Sequence, residues 1–250
     1  GFATGGTYEA IYKKLIEITR DENISWENVV TFNLDEYVWK ASGYNRAYIE
    51  KYYGKESYAS FMTVNLFGWL KENAGLKEEN IHLMNGMADD PEKEVEDYEA
   101  LIMRETGGQG VDLQVLGIGV EGHIAFIEAR PDMPLDDFLG LKTRVEDLAI
   151  STREANSRFF DGNVEAVPPQ AMTQGISTIL KAKEILLVAT GSGKREAITK
   201  TIAGNVTPSV PASVLQAHPN TTIILDANAA QGLIELSKMS MARQAVESML

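Results

Sequence analysis

Residues Val111 to Glu128 read VDLQVLGIGVEGHIAFIE, and the fold follows from how they are parsed. The run Val111 to Leu116 is apolar and β-branched enough for a buried strand, and Gly117 and Gly119 end it in a turn. Working outward, similar runs recur at Val29–Leu34, Ile185–Thr190 and Thr221–Leu225, with weaker ones at Asn80–Met84 and Leu148–Ile150. Longer helical patterns lie between them: Tyr8–Arg20, Ser57–Asn73, Pro91–Glu105, Pro169–Leu180, Lys194–Ala203, and from Ala227 onward. Pro91 and Pro169 suit the first turn of a helix. Strands alternating with helices predict an α/β fold: a Rossmann-like, mostly parallel sheet with helices on both faces. No repeat, low-complexity linker or charge block divides the chain, so residues 1–250 are expected to form a single domain.

Composition narrows the function classes. The chain has 250 residues, 44% of them hydrophobic, which suffices for one good core. There is no cysteine, hence no disulfide framework and no thiolate metal site, which fits a reducing cytoplasm. No apolar run is long enough to span a bilayer, and no charged-then-apolar leader opens the sequence. A net charge of -13 argues against nucleic acid and anionic membrane as partners. The expected partner is a small molecule. An anionic one would need local cations and backbone N–H groups, and further copies of the chain stay open as a second kind of partner.

In open α/β sheets ligands bind beyond the carboxyl ends of the strands. The residues found there carry chemistry. Asp35 and Glu36 follow the first run, and burial of paired carboxylates raises one toward the pKa of a general base. His123 follows the second, with Glu121 and Glu128 on either side; a carboxylate partner fixes a histidine's tautomer. No serine or cysteine nucleophile motif accompanies it. Gly191–Lys194, GSGK, follows the third and offers backbone donors plus a cation, at a spacing too short for a Walker loop. Thr4–Thr7, TGGT, precedes the first helix and could cradle an anion at its N-terminus, or merely cap the helix through Thr7. Arg158 stands before Phe159 and Phe160, whose rings could wall it for bidentate binding or simply be covered by its stem. His82 alternates with apolar neighbours and reads as structural, and His218 has no assignable role. Histidine spacing supports no metal site.

Taken in order, ATGGT (3–7), VVTFNLDEYV (29–38), ENIHLMNG (79–86), LGIGVEGHIAFIE (116–128), ANSRFFDGNVEAVPPQAMTQGISTIL (155–180), GSGK (191–194) and LQAHP (215–219) resemble the glucosamine-6-phosphate deaminase family. The resemblance implies a sugar-phosphate substrate and no metal or organic cofactor. It implies that Gly5, Gly6, Thr7, Arg158 and Lys194 bind the phosphate. Asp35 would move the C2 proton, and His123 would open the sugar ring, oriented by Glu121 and Glu128. It also implies that the family's first strand and helix are missing before Thr4.

The family pattern has Asp, Asn and Pro where this chain has Glu121, Ile127 and Ala129. Glu121 is one methylene longer, and Ile127 is expected to remove a polar side chain beside the site. The segment Trp39–Gly54 is longer than the family's and rich in aromatics, so the substrate entrance is expected to differ. Glu146, after Thr143-Arg144-Val145, disfavours a second phosphate site and activation by an amino-sugar phosphate. Two other functions stay open. One is a 6-phosphogluconolactonase of the same fold, although Tyr37 stands where that family usually follows its Asp-Glu pair with arginine. The other is a non-catalytic sugar-phosphate sensor, which would need neither Asp35 nor His123.

Overall fold

The computed structural model describes residues 1–247, with side chains described to residue 240. Its strands are β1 (Thr31–Phe32), β2 (Asp35–Tyr37), β3 (Ile81–His82), β4 (Leu113–Leu116), β5 (Arg144–Asp147), β6 (Gln170–Thr173), β7 (Glu184–Ala189) and β8 (Thr221–Leu225). Its α-helices are α1 (Gly6–Asp21), α2 (Arg46–Glu56), α3 (Tyr58–Met62), α4 (Gly68–Asn73), α5 (Pro91–Glu105), α6 (Leu135–Leu139), α7 (Ile150–Asn156), α8 (Ile176–Ile179), α9 (Arg195–Ala203) and α10 (Gln231–Glu247). The α/β alternation is as expected. The helix expected from Ala227 begins at Gln231, and its last residues, 248–250, lie outside the described ones.

The parallel pairs are β1 with β3, β4 with β7, and β7 with β8. Gly1 and Phe2 join these halves. The Phe2 N–H donates to Phe32 O at 2.7 Å and Leu34 N–H to Phe2 O at 3.0 Å, while Val115 N–H donates to Gly1 O at 3.0 Å. The two residues therefore occupy the place of a central strand between β1 and β4, and the TGGT loop follows strand-like backbone after all. A second, antiparallel layer runs β2-β6-β5.

Three sequence expectations change here. Residues 169–180 are not one helix: β6 comes first, and only α8 is helical. Ala171, Met172 and Thr173 are fully buried between β2 and β5, and this pairing outweighs their helical pattern. The strand expected at Leu148–Ile150 lies earlier, as β5, because α7 already begins at Ile150. The helix expected over 57–73 is interrupted by a π-helical turn, Thr63–Phe67. That turn puts Met62, Leu66, Phe67 and Leu70 all on the buried side. Gly68 permits it, since a Cβ there would meet Thr63 O at 2.8 Å. Among the described residues no helix is long and apolar enough to cross a membrane.

Candidate active site

A cleft of about 530 Å³ opens where strand ends meet helix starts. It is lined by residues following Phe2, β1, β4 and β7, the edge at which ligands of such sheets gather. Asp35, Glu121, His123, Gly5, Gly6, Thr7, Arg158 and Lys194 all line it. Glu128 stands behind His123 rather than in the lining.

Asp35 opens β2, with 8% of its surface exposed. Burial, and next the neighbouring Glu36 charge, push its carboxyl up to about 8. No hydrogen bond to its carboxylate is found among the described residues. Glu36 is the opposite case. Its Oε1 accepts from Tyr37 N–H at 2.9 Å, Trp39 Nε1–H at 3.1 Å and Tyr58 N–H at 3.2 Å, and its Oε2 from Ala59 N–H at 2.9 Å. Burial pushes the Glu36 carboxyl up to about 7, and these donors keep it from going higher. One acid of the pair is thus consumed by structure, tying β2 to α3, while the other is left free toward the cleft.

The histidine is held by the loop after β4. Its Nδ1 lies 3.4 Å from Glu128 Oε2. Thr152 Oγ1 donates to Glu128 Oε1 at 2.5 Å. Burial alone would push the Glu128 carboxyl up, but the facing His123 imidazole, and then Thr152, outweigh it and hold the group below its ordinary value. Nδ1 thus faces the acid, and Nε2 is left for the cleft. Gly119 makes room: a Cβ there would come within 2.2 Å of the imidazole Cε1. Gly119 N–H also donates to His123 O at 2.8 Å. Ala125 takes a left-handed φ of 51°, and the following Phe126 N–H donates to Thr173 Oγ1 at 3.0 Å, which anchors the loop to β6.

Glu121 is elsewhere. Its Oε2 is 3.4 Å from Ser151 Oγ, and no ion pair joins it to His123 among the described residues. Gly122 between the two residues takes a left-handed φ of 91°. Ile127 is fully buried in the core and does not touch the cleft, so its departure from the family pattern is a packing change.

The other end of the cleft is built for an anion. Gly5 is the N-cap of α1, at φ 105°, and no side chain caps the helix. Thr7 therefore is not the cap; its Oγ1 lies 3.4 Å from Thr190 Oγ1 at the end of β7. Open space faces Gly5 and Gly6, leaving the first N–H groups of α1 toward the cleft. Lys194 is half-buried, and burial followed by the Arg158 charge pushes its ammonium below the ordinary value. The Arg158 guanidinium lies 4.7 Å over the Phe159 ring, which resolves the choice of neighbour; Phe160 is fully buried instead. Neither cation pairs with an acid among the described residues. Glycine-rich backbone, a helix N-terminus and two adjacent cations suit a phosphate.

Sequence reasoning missed Tyr37, Tyr58 and Asn156 in the lining. Asn156 Nδ2 donates to Tyr37 Oη at 2.9 Å, with Tyr58 Oη at 3.4 Å from the same oxygen. Adjacency of Tyr37 to Asp35 and of Asn156 to Arg158 was the available signal; Tyr58 had none. His82, in β3, packs its ring tilted against Phe32 at 4.8 Å, a structural place as expected. His218 Nε2 meets Ala182 O at 2.8 Å and pins the loop before β8.

Sheet and cleft together define a Rossmann-like α/β protein whose strand ends carry an acid, a carboxylate-held histidine and an unpaired cationic end. Comparison with known proteins makes the class specific. The chain belongs to the family of glucosamine-6-phosphate isomerases and 6-phosphogluconolactonases, whose model matches residues 1–224. It is 44% identical over 230 residues to a glucosamine-6-phosphate deaminase of Thermoanaerobacter pseudethanolicus, covering 92% of this chain and 81% of that one. It is 42% identical over 233 residues to one from Clostridioides difficile, covering 93% and 84%. A solved monomeric glucosamine-6-phosphate deaminase superposes with a TM-score of 0.78 at 38% identity, over 93% of this chain and 86% of that one. A 6-phosphogluconolactonase from Trypanosoma cruzi shares the fold, with a TM-score of 0.64 at 20% identity over 92% and 82%.

Proposed function

We propose that the chain is an enzyme that converts glucosamine 6-phosphate and water to fructose 6-phosphate and ammonia. The observation that carries this is the sharing of one cleft by Asp35, His123 and an unpaired cationic end. Lys194, Arg158 and the backbone of Gly5, Gly6 and Thr7 bind the phosphate, which fixes the sugar over the other residues.

His123 Nε2 takes the proton of the C1 hydroxyl and gives one to the ring oxygen. The C1–O5 bond breaks, and the open-chain amino aldehyde forms. Glu128 holds the tautomer and steadies the charged imidazole between the two transfers. Asp35, once ionised, removes the C2 proton while O1 takes one from water, giving an enamine alcohol. The same carboxyl returns a proton to C1, leaving an iminium at C2. Water adds there, ammonia leaves, and the ketone results. A carboxyl raised to about 8 is a stronger base than an ordinary one, which suits removal of a weakly acidic carbon-bound proton. The reading calls on no cofactor. Glu121, on the cleft wall against Ser151, acts as a more distant acid.

We infer action as a single domain in the cytoplasm, consistent with the cysteine-free sequence. The test separates binding from chemistry. His123→Ala should lose turnover of glucosamine 6-phosphate by about a hundredfold or more, yet bind inorganic phosphate like the parent. A fully active variant removes His123 from the mechanism.

A further inference from the structure

The aromatic segment before the cleft folds as α2, with Asn45 as N-cap accepting from Tyr48 N–H at 3.0 Å. Its rings pack into an aromatic cluster with Trp39 and Phe160, and its hydroxyls add polar contacts to the same neighbourhood. Tyr44, Tyr48 and Tyr52 recur at helical spacing; the first two rings stack at 3.7 Å between centroids, and Tyr52 packs tilted against Tyr48 at 5.0 Å. Their hydroxyls all reach one stretch of chain. Tyr44 Oη donates to Glu165 O and Val167 O, both at 3.3 Å. Tyr48 Oη donates to Ala166 O. Tyr52 Oη donates to Asp161 Oδ2 at 3.0 Å, where Lys51 Nζ also arrives at 2.8 Å. The Tyr52 ring packs on Phe160 at 5.3 Å.

That stretch begins where Arg158 ends. Asp161 and Gly162 both take left-handed φ, 58° and 75°, making a tight turn directly after Arg158-Phe159-Phe160. Arg158 itself is exposed; among the described residues its side chain makes no hydrogen bond or ion pair and lies over the Phe159 ring, so no polar partner fixes where it points. Its position is set by the turn behind it.

We propose that α2 is a positioning element for phosphate binding: its tyrosine ladder clamps residues 160–167 and so holds Arg158 at the cationic end of the cleft. Tyr48 and Tyr52 are the positioning residues, and they touch no substrate. The inference rests on the reading of Arg158 as a phosphate ligand. It makes affinity for phosphorylated substrate depend on a helix outside the cleft's charged end.

The test is a coupling measurement on the intact chain. Tyr48→Phe combined with Tyr52→Phe removes both hydroxyls and keeps both rings. The KM for glucosamine 6-phosphate and the dissociation constant of inorganic phosphate should rise together, about five- to tenfold, with kcat within about twofold. In an Arg158→Ala background the same pair should add less than about twofold, because the residue being positioned is gone. Asp161→Asn keeps a side chain that tolerates the left-handed turn, and should raise both constants only about twofold, its ion pair being exposed. Constants unchanged in the parent background overturn the proposal. So does an equal rise with and without Arg158, which is what general loosening would give. Tyr52→Phe alone serves if the double variant melts early. If the parent releases no ammonia, the proposed reaction fails, but phosphate binding still reads the clamp.

Discussion

Asp35→Asn should make the protein more stable as it destroys activity, and the gain should depend on pH. In the unfolded chain the Asp35 carboxyl loses its proton near 3.8, whereas in the folded protein it keeps it up to about 8. Across that window the native state binds the extra proton, so stability falls as pH rises through it and levels off above about 8. At about 1.36 kcal/mol per pKa unit, the gap of about 4 units sets a ceiling of about 6 kcal/mol. Local relaxation and water entry at a cleft reduce the cost of charging, and about half the ceiling, roughly 2–3 kcal/mol, is the realistic share. For a chain of this size that corresponds to roughly 5–10 °C in Tm. The amide that replaces the carboxyl in the variant cannot ionise. Thermal unfolding of parent and variant should therefore show a small gap at pH 5 that widens severalfold by pH 8.5, the variant melting higher. A variant that melts lower at pH 8.5, or a gap that does not grow with pH, refutes the account of Asp35 as a carboxyl whose ionisation the fold opposes.

Other outcomes follow from the same geometry. Glu36→Gln places an amide among four donors and should cost about 2 kcal/mol, read as a lower denaturant midpoint. Glu128→Gln should lower kcat about 10- to 100-fold while Glu121→Gln lowers it less than about tenfold, since only Glu128 meets the imidazole; equal losses would place Glu121 on the histidine after all. Gly119→Ala should displace the His123 ring and cut kcat by about a hundredfold with KM little changed, and wild-type kcat would show that the ring position is not critical.

Much of this was legible in the sequence, for definite reasons. The strand at 111–116 and its glycine turn announced a parallel sheet, and the strand-end rule collected Asp35, His123 and Lys194, far apart in the chain, into one cleft. What escaped was whatever non-local pairing decides. Gln170–Thr173 carries helix-forming residues and becomes a strand only because β2 and β5 flank it. Glu121 looked like a partner of His123 by adjacency, but Gly122 turns the chain between them. Gly1 and Phe2 looked like a bare start, yet they hydrogen-bond on both sides within the sheet. The helix α2 was hidden because tyrosine hydroxyls and rings on it meet a segment more than a hundred residues away.

One measurement bears on the central claim most directly: glucosamine 6-phosphate and 6-phosphogluconolactone offered separately to the same preparation. The account predicts ammonia and fructose 6-phosphate in equal amounts from the first, and lactone hydrolysis no faster than the uncatalysed rate from the second. Folded protein that binds phosphate but releases no ammonia, or that hydrolyses the lactone, would contradict it.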